Sequence, residues 1–283
     1  SRERMLPETM PVCPVRGSVI YPTMVMPIDA GRPISIRAID EALARDRVLL
    51  IVSQRDKEVE TPRPSDLFEV GTACNILKMR KNPDGSVQVL VQAFARVRVR
   101  EWLDLGDHLE ARGEVLADEP GEPILVKALV REVKDKFQAL LKEGKYLAPE
   151  VAQFILNLED PSQLADYVAF HMDFRLEDKQ KVLETANVAE RLRAVLVLLE
   201  AELALIETQR RIQQQVKEEI DRNQREYFLR EQMKAIQREL HGEEGEQEVE
   251  EFRRKLEALD LPPAVRQEVE REPRFVRVFD HSI

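Results

Sequence analysis

The chain has 283 residues, 43% of them hydrophobic, and carries 43 lysines and arginines against 53 aspartates and glutamates, a formal net charge of −10. That balance argues against a dedicated nucleic-acid surface, and two far-separated cysteines, Cys13 and Cys74, without metal-ligand spacing argue against a zinc site or a disulfide framework. No apolar run reaches the roughly eighteen residues of a membrane span, and the opening SRERMLPETM lacks the apolar core of a signal peptide, so a cytoplasmic protein without a membrane partner is expected.

Charged residues make up 34% of the chain and aromatics only 5%, a balance that suits long solvated helices, yet the first part of the chain reads as β structure. Residues 21–27, YPTMVMP, hold two prolines and two methionines in seven positions and predict an exposed edge strand. Met24 and Met26 either fill a small core there or form an adaptable contact surface for other polypeptides. Pro33 suits a first helical position, and Ile36, Ile39 and Leu43 follow on one helical face. RVLLIVS (47–53) reads as a buried strand. NPDG (82–85) predicts a turn joining about 70–80 to 86–92 as a hairpin. Along 87–99 the odd positions are valine or alanine and the even ones mostly glutamine or arginine, the period of a sheet with one wet face. Leu90 and Phe94 interrupt the polar parity, so part of the second face is expected to be covered. Residues 1–118 thus predict a small, mostly β domain with one early helix.

The period becomes helical at Pro123, where Val126, Leu129, Val133, Phe137 and Leu140 mark one stripe. Shorter helices are expected at 150–158, 162–172 and 175–185, the second capped by Asp160 with Pro161 in its first turn, making residues 119–187 a helical subdomain. Asn187 and Glu190 resemble a capping pair for a long helix over 188–240, because neither proline nor glycine follows until Gly242. Its first third, with Leu192, Leu196, Leu199, Leu203 and Ile206, has the spacing of a core seam. Only Ile212, Val216 and Ile220 continue a stripe through the polar middle, and Tyr227, Phe228, Leu229, Met233 and Ile236 then restore apolar character. The glycines of HGEEGEQEVEE (241–251) predict a break, a loop and a returning helix within 241–272. Residues 273–283 share no pattern with what precedes them and are expected to be a tail foreign to the domain. The fold class expected is α+β: a small β domain, a helical bundle and a long, coiled-coil-like helical arm.

No catalytic constellation emerges. His108, His171, His241 and His281 lack HExxH or comparable metal spacing, and EGKY (143–146) lacks the glycine and the hydroxyl of a phosphate loop. Ser18 lies outside any GxSxG context, and the abundant acid pairs sit where solvated helix surface is expected. No catalytic residue and no metal ligand is assigned, and the chain reads as a binding module.

Two segments in the right order resemble the bacterial Lon proteases. QREYFLREQMKAIQREL (224–240), preceded by VKEEIDRN (216–223), resembles a hallmark of that family, and PVCPVRGSVIYPTMVMPIDAGRPISIRAIDEAL (11–43) resembles its opening. The resemblance covers about residues 10–272. It implies the N-terminal part of a hexameric, ATP-dependent serine protease of protein quality control and stress response, which degrades misfolded, damaged and regulatory proteins. The AAA+ ATPase motifs, with their ATP and magnesium, and the Ser-Lys dyad fall outside this chain, so the fragment is expected to be non-catalytic and to need no cofactor. Its implied partners are unfolded or damaged proteins, the ATPase and protease domains of the same chain, and further copies of itself. On that basis Pro22, Thr23, Met24 and Met26, with Met79 beside the hairpin turn, are expected to contact substrate. Tyr227, Phe228, Leu229, Met233 and Ile236 are expected to contact either the returning helix or another subunit. The alternative is a purely architectural module of the hexamer.

Overall fold

The computed structural model describes residues 6–144 and 147–257. Six strands come first, β1 (Met10–Val15), β2 (Val25–Ala30), β3 (Val48–Ser53), β4 (Val70–Lys81), β5 (Val87–Asp104) and β6 (Leu109–Val115), with α1 (Pro33–Ala44) between β2 and β3. They form one sheet in the order β2-β5-β4-β3-β1-β6, and β5 pairs with β6 as well. Five strands therefore close a ring, and β2 lies beside it on the first half of β5. The β1–β3 pair is parallel and the others antiparallel. What allows this is the length of β5: over its 18 residues, positions 87–92 hold β2 and positions 97–104 hold β6.

Local chemistry accounts for several elements. Pro33 opens α1, which buries Ala38, Ile39 and Ala42 against Leu49 and Ile51 of β3. At the NPDG hairpin, Gly85 takes φ +85°, Asn82 N–H donates to Ser86 O at 2.8 Å, and the Asp84 carboxylate accepts from Ser86 N–H at 2.9 Å. β3 is buried along its whole length because it lies between β1 and β4.

The helices are α2 (Pro123–Lys142), α3 (Pro149–Leu156), α4 (Pro161–His171), α5 (Leu176–Glu184) and α6 (Val188–Glu257). Asp160 caps α4 as its sequence suggests, accepting from Ser162 N–H at 2.8 Å and Gln163 N–H at 3.2 Å. Asn187 accepts from Glu190 N–H at 3.1 Å at the start of α6. Leu192, Val195 and Leu199 of α6 are buried with Val133 and Phe137 of α2.

The β domain and the helical subdomain do not separate at residue 118. Val19, Tyr21, Met24 and Val70 belong to the same apolar core as the helices. Polar bonds cross the seam: Tyr21 Oη donates to Lys179 O at 2.8 Å, Gln180 Nε2 to Val70 O at 2.9 Å, and Arg96 Nε to Leu183 O at 3.1 Å. The compact unit runs on to Gln209, and the chain from Arg210 forms a second unit.

α6 continues as one helix of 70 residues through 241–251, where a break was expected. Two helical glycines cost about 1 kcal/mol each relative to alanine, a small penalty among good helix formers such as glutamate, glutamine and arginine. A helix returning from 247 is thereby excluded as far as Glu257, and the segments expected beyond it, including 273–283, lie outside the described residues.

Candidate functional site

The buried arginines of the first unit are paired for structure, while Asn75 Oδ1 and Gln180 Oε1 are buried without a hydrogen-bond partner among the described residues. Arg96, on the face of β5 expected to be wet, is 3% exposed. It pairs with the buried Asp166 of α4, and its Nε donates to Leu183 O at 3.1 Å. Arg191 of α6 donates through Nη2 to Asp118 at 2.7 Å, through Nη1 to Ser162 Oγ at 2.6 Å and through Nε to Thr185 O at 2.8 Å. Burial pushes the Asp166 carboxyl up to about 6 against the pull of the two guanidiniums. These residues bind strand to helices, and the one hydroxyl in these bonds, that of Ser162, is held between Arg191 and Asp118 with no histidine or lysine bonded to it among the described residues. His108 is similarly held, with Nδ1 2.6 Å from Asp107 and Nε2 3.2 Å from Glu110. Burial pushes Glu110 up, but its bonds with Arg45 and His108 outweigh that and leave it below the usual carboxylate range. Among the described residues no group of histidine, cysteine, aspartate or glutamate is arranged to hold a metal ion. None of their helices is long and apolar enough to cross a membrane.

The residues singled out at 21–27 divide between two environments. Met24 is a correction: it is 4% exposed, packed in the core shared with the helices, and is no surface contact. The same core takes Tyr21, so the exposed edge begins only at β2. Pro22 is half-buried and Thr23 exposed, in a turn where Thr23 has φ +71° and donates its N–H to Ala93 O at 2.9 Å. Met26 is half-buried opposite Val91, and Met79 is exposed opposite Val89. Paired residues share a face, so Met26 and Met79 flank β5 on one side, about 12 Å apart at two strand spacings across and two residues along.

Two exposed apolar neighbours were not foreseen, Val25 and Leu77. The alternation of VMPIDA could have shown Val25. Leu77 lies where the β4–β5 register shifts between Ile76 and Lys78, and an irregularity of pairing leaves no mark in a single sequence. A cleft of about 420 Å³ adjoins β2, lined by residues 13–16, Ser18, residues 26–32 and Ser35. On its far wall Arg32 donates to Pro14 O at 2.7 Å and to Gln54 Oε1 at 2.8 Å. Burial and then Arg16 lower the Arg32 guanidinium from its ordinary value, and burial pushes the Cys13 thiol up to about 11, leaving it unreactive.

In the second unit, Tyr227, Phe228, Leu229, Met233 and Ile236 are all more than half exposed. At 100° per residue, Ile212, Val216, Ile220 and Tyr227 fall on one face, and Leu229, Met233 and Ile236 on another about 140° away. The apolar stripe therefore changes face near Phe228.

Residues 9–201 match the family model described as the ATP-dependent protease La (LON) substrate-binding domain. The chain is 97% identical over 279 residues to Lon protease 2 of Thermus thermophilus, covering 98% of this chain and 35% of that protein. It is 39% identical over 264 residues to the Escherichia coli K12 Lon protease, covering 93% of this chain and 34% of that protein. The chain thus spans about a third of the curated relatives it matches. Among solved structures, the N-terminal domain of a Mycobacterium avium complex Lon protease aligns with TM-score 0.56 and 27% identity, covering 68% of this chain and 98% of that one.

Proposed function

The chain belongs to the Lon protease family and carries its substrate-binding domain, and from that premise we propose that it captures exposed hydrophobic segments of unfolded or damaged polypeptides without catalysing any step itself. The captured segments pass to ATPase and protease domains of the same polypeptide, in the cytoplasm, where ATP, magnesium and a Ser-Lys dyad belong. The observation that carries this reading is the match over residues 9–201. Met26 and Met79 on one face of β5, with the turn of Pro22 and Thr23 ahead of β2, support this reading, and Val25, opposite Gln92, adds exposed apolar area on the other face. Methionine adapts to unlike partners, as a binder of unrelated unfolded chains requires.

A labelled, chemically unfolded model protein tests the proposal, with its native form as control. The 283-residue chain binds the unfolded form alone, and Met26→Ser with Met79→Ser weakens binding several-fold. Equal binding by native and unfolded forms, or by the double variant, refutes it.

A second role, contact between copies of the chain, is favoured by the exposed faces of the second unit. The unbroken α6 supplies no returning helix to cover Leu229, Met233 and Ile236 from 247–257. Leu229→Glu with Met233→Glu abolishes self-association in sedimentation and leaves helicity unchanged. Monomeric behaviour of the unmutated chain counts against this role.

A further inference from the structure

We infer that the polypeptide is taken up by strand addition: an extended segment pairs its backbone with the free edge of β2 and lays alternate apolar side chains into the adjoining cleft. This rests on the substrate-binding reading and specifies how that surface works. β2 ends the strand order and pairs only with β5, so among the described residues its other edge has no strand beside it.

The register sets which groups that edge offers. Ala93 N–H donates to Met24 O at 2.8 Å, which turns Met24 toward β5. In an antiparallel ladder the bonded positions recur every second residue, so Met26 and Ile28 also turn toward β5, and Val25, Pro27 and Asp29 turn away. Pro27 fits this phase, since it has no N–H to give inward. The free edge therefore presents the N–H and C=O of Val25 and Asp29 and the C=O of Pro27. Groups alternating at the spacing of a strand are matched by another extended backbone. Pro27 also blunts the edge against continuous pairing with a second copy, because one donor in the middle is missing.

The cleft is a gap in the wall. β6 pairs with β1 only at residues 10–12, leaving residues 13–15 uncovered on that side. Pro14 O is capped there by Arg32. Met26 and Ile28, which pack against the core beneath, form the floor on which apolar side chains of the incoming segment rest. Arg16, ion-paired with Glu60 at 3.1 Å, and Arg32 line the cleft with Asp29, so the cleft's own charges are largely balanced and an uncharged, apolar-alternating segment suits it. A buried β-strand released by unfolding has these properties.

A ten-residue peptide alternating valine with threonine is the probe, titrated into the 283-residue chain. Two isomers carry N-methyl groups, one on the odd amides and one on the even. Strand addition uses amides of one parity, so one isomer binds at least 10-fold more weakly than the parent and the other binds like it. In the same complex, hydrogen exchange slows at Val25 and Asp29 and is unchanged at Met26 and Ile28. Two isomers that both bind like the parent overturn strand addition, as does binding of a chemically unfolded protein without slowed exchange at Val25 and Asp29. Failure of any unfolded polypeptide to bind is a different result, and removes the substrate-binding reading on which this one rests.

Discussion

Met24 and Met26 are two residues apart, and their substitutions separate the joint from the surface. Met24 is 4% exposed and meets Tyr21, Val70 and the helical subdomain in one core. Truncation to alanine removes three heavy atoms from that contact and leaves a cavity between two layers, for which buried methionines lose about 2–5 kcal/mol. The seam is braced by the Tyr21 and Gln180 bonds and cannot close freely over the gap, so the upper half of that range is expected. Met26 is half-buried at the cleft, and its truncation costs under about 1 kcal/mol. Urea unfolding gives the comparison, followed by Trp102 fluorescence in β5 and by helical circular dichroism. The core at Met24 belongs to both layers, so both signals shift together for Met24→Ala. Equal losses for Met24→Ala and Met26→Ala, or a shift in one signal alone, would refute the shared core.

Asp166 predicts an unusual pH dependence. Its carboxyl is raised from 3.8 to about 6 by burial, so the stability it contributes is complete below 3.8 and is lost as pH rises through 6. The stability of the parent minus that of Asp166→Asn should therefore fall across this window, by at most about 3 kcal/mol, and a flat difference contradicts the assignment. Thr23 holds φ +71°, a strained conformation for a β-branched residue. Thr23→Gly is expected to raise the melting temperature, with a net gain of about 0.5–1 kcal/mol after glycine's added unfolded-state entropy, and a lowered melting temperature argues that the turn is unstrained. At Gly71 a Cβ would lie 2.5 Å from Ile51 O and 2.7 Å from Val52 Cγ2, so Gly71→Ala must push β4 from β3. A loss of about 1–3 kcal/mol is expected in urea unfolding, and an unchanged midpoint refutes the contact.

Features written in adjacent residues were legible: the NPDG hairpin, the Pro33 start of α1, the Asp160 cap and the alternation of β5. Each depends on chemistry within a few positions. Closure of the ring was not legible, since it depends on β5 being long enough to serve β2 and β6 in turn. Arg96 read as a solvated residue because its parity is polar. Its burial is decided by Asp166, 70 positions away, a partner no local pattern announces. The expected break at Gly242 erred the other way, by giving a local signal more weight than its energy carries.

YPTMVMP shows why the surface was only half readable. A strand pattern tells which residues share a face, and it does not tell which face another layer will cover. Tyr21 and Met24 lie beneath the helices, while Val25 and Pro27 remain outside. This division has a mechanical consequence. A free edge strand standing alone would fray, because it is bonded on one side only. Here the residues leading into β2 are clamped between sheet and helices through the Met24 core and the Tyr21 bond to Lys179. The edge can stay ordered without a partner, so an incoming segment bears less of the cost of arranging it. Loosening the clamp should then weaken polypeptide binding even though Tyr21 touches no ligand. Tyr21→Phe keeps the ring and removes the hydrogen bond, and it should speed hydrogen exchange at Met26 and Ile28 as it lowers affinity. Lowered affinity with unchanged exchange would mean that the edge is ordered by β5 alone.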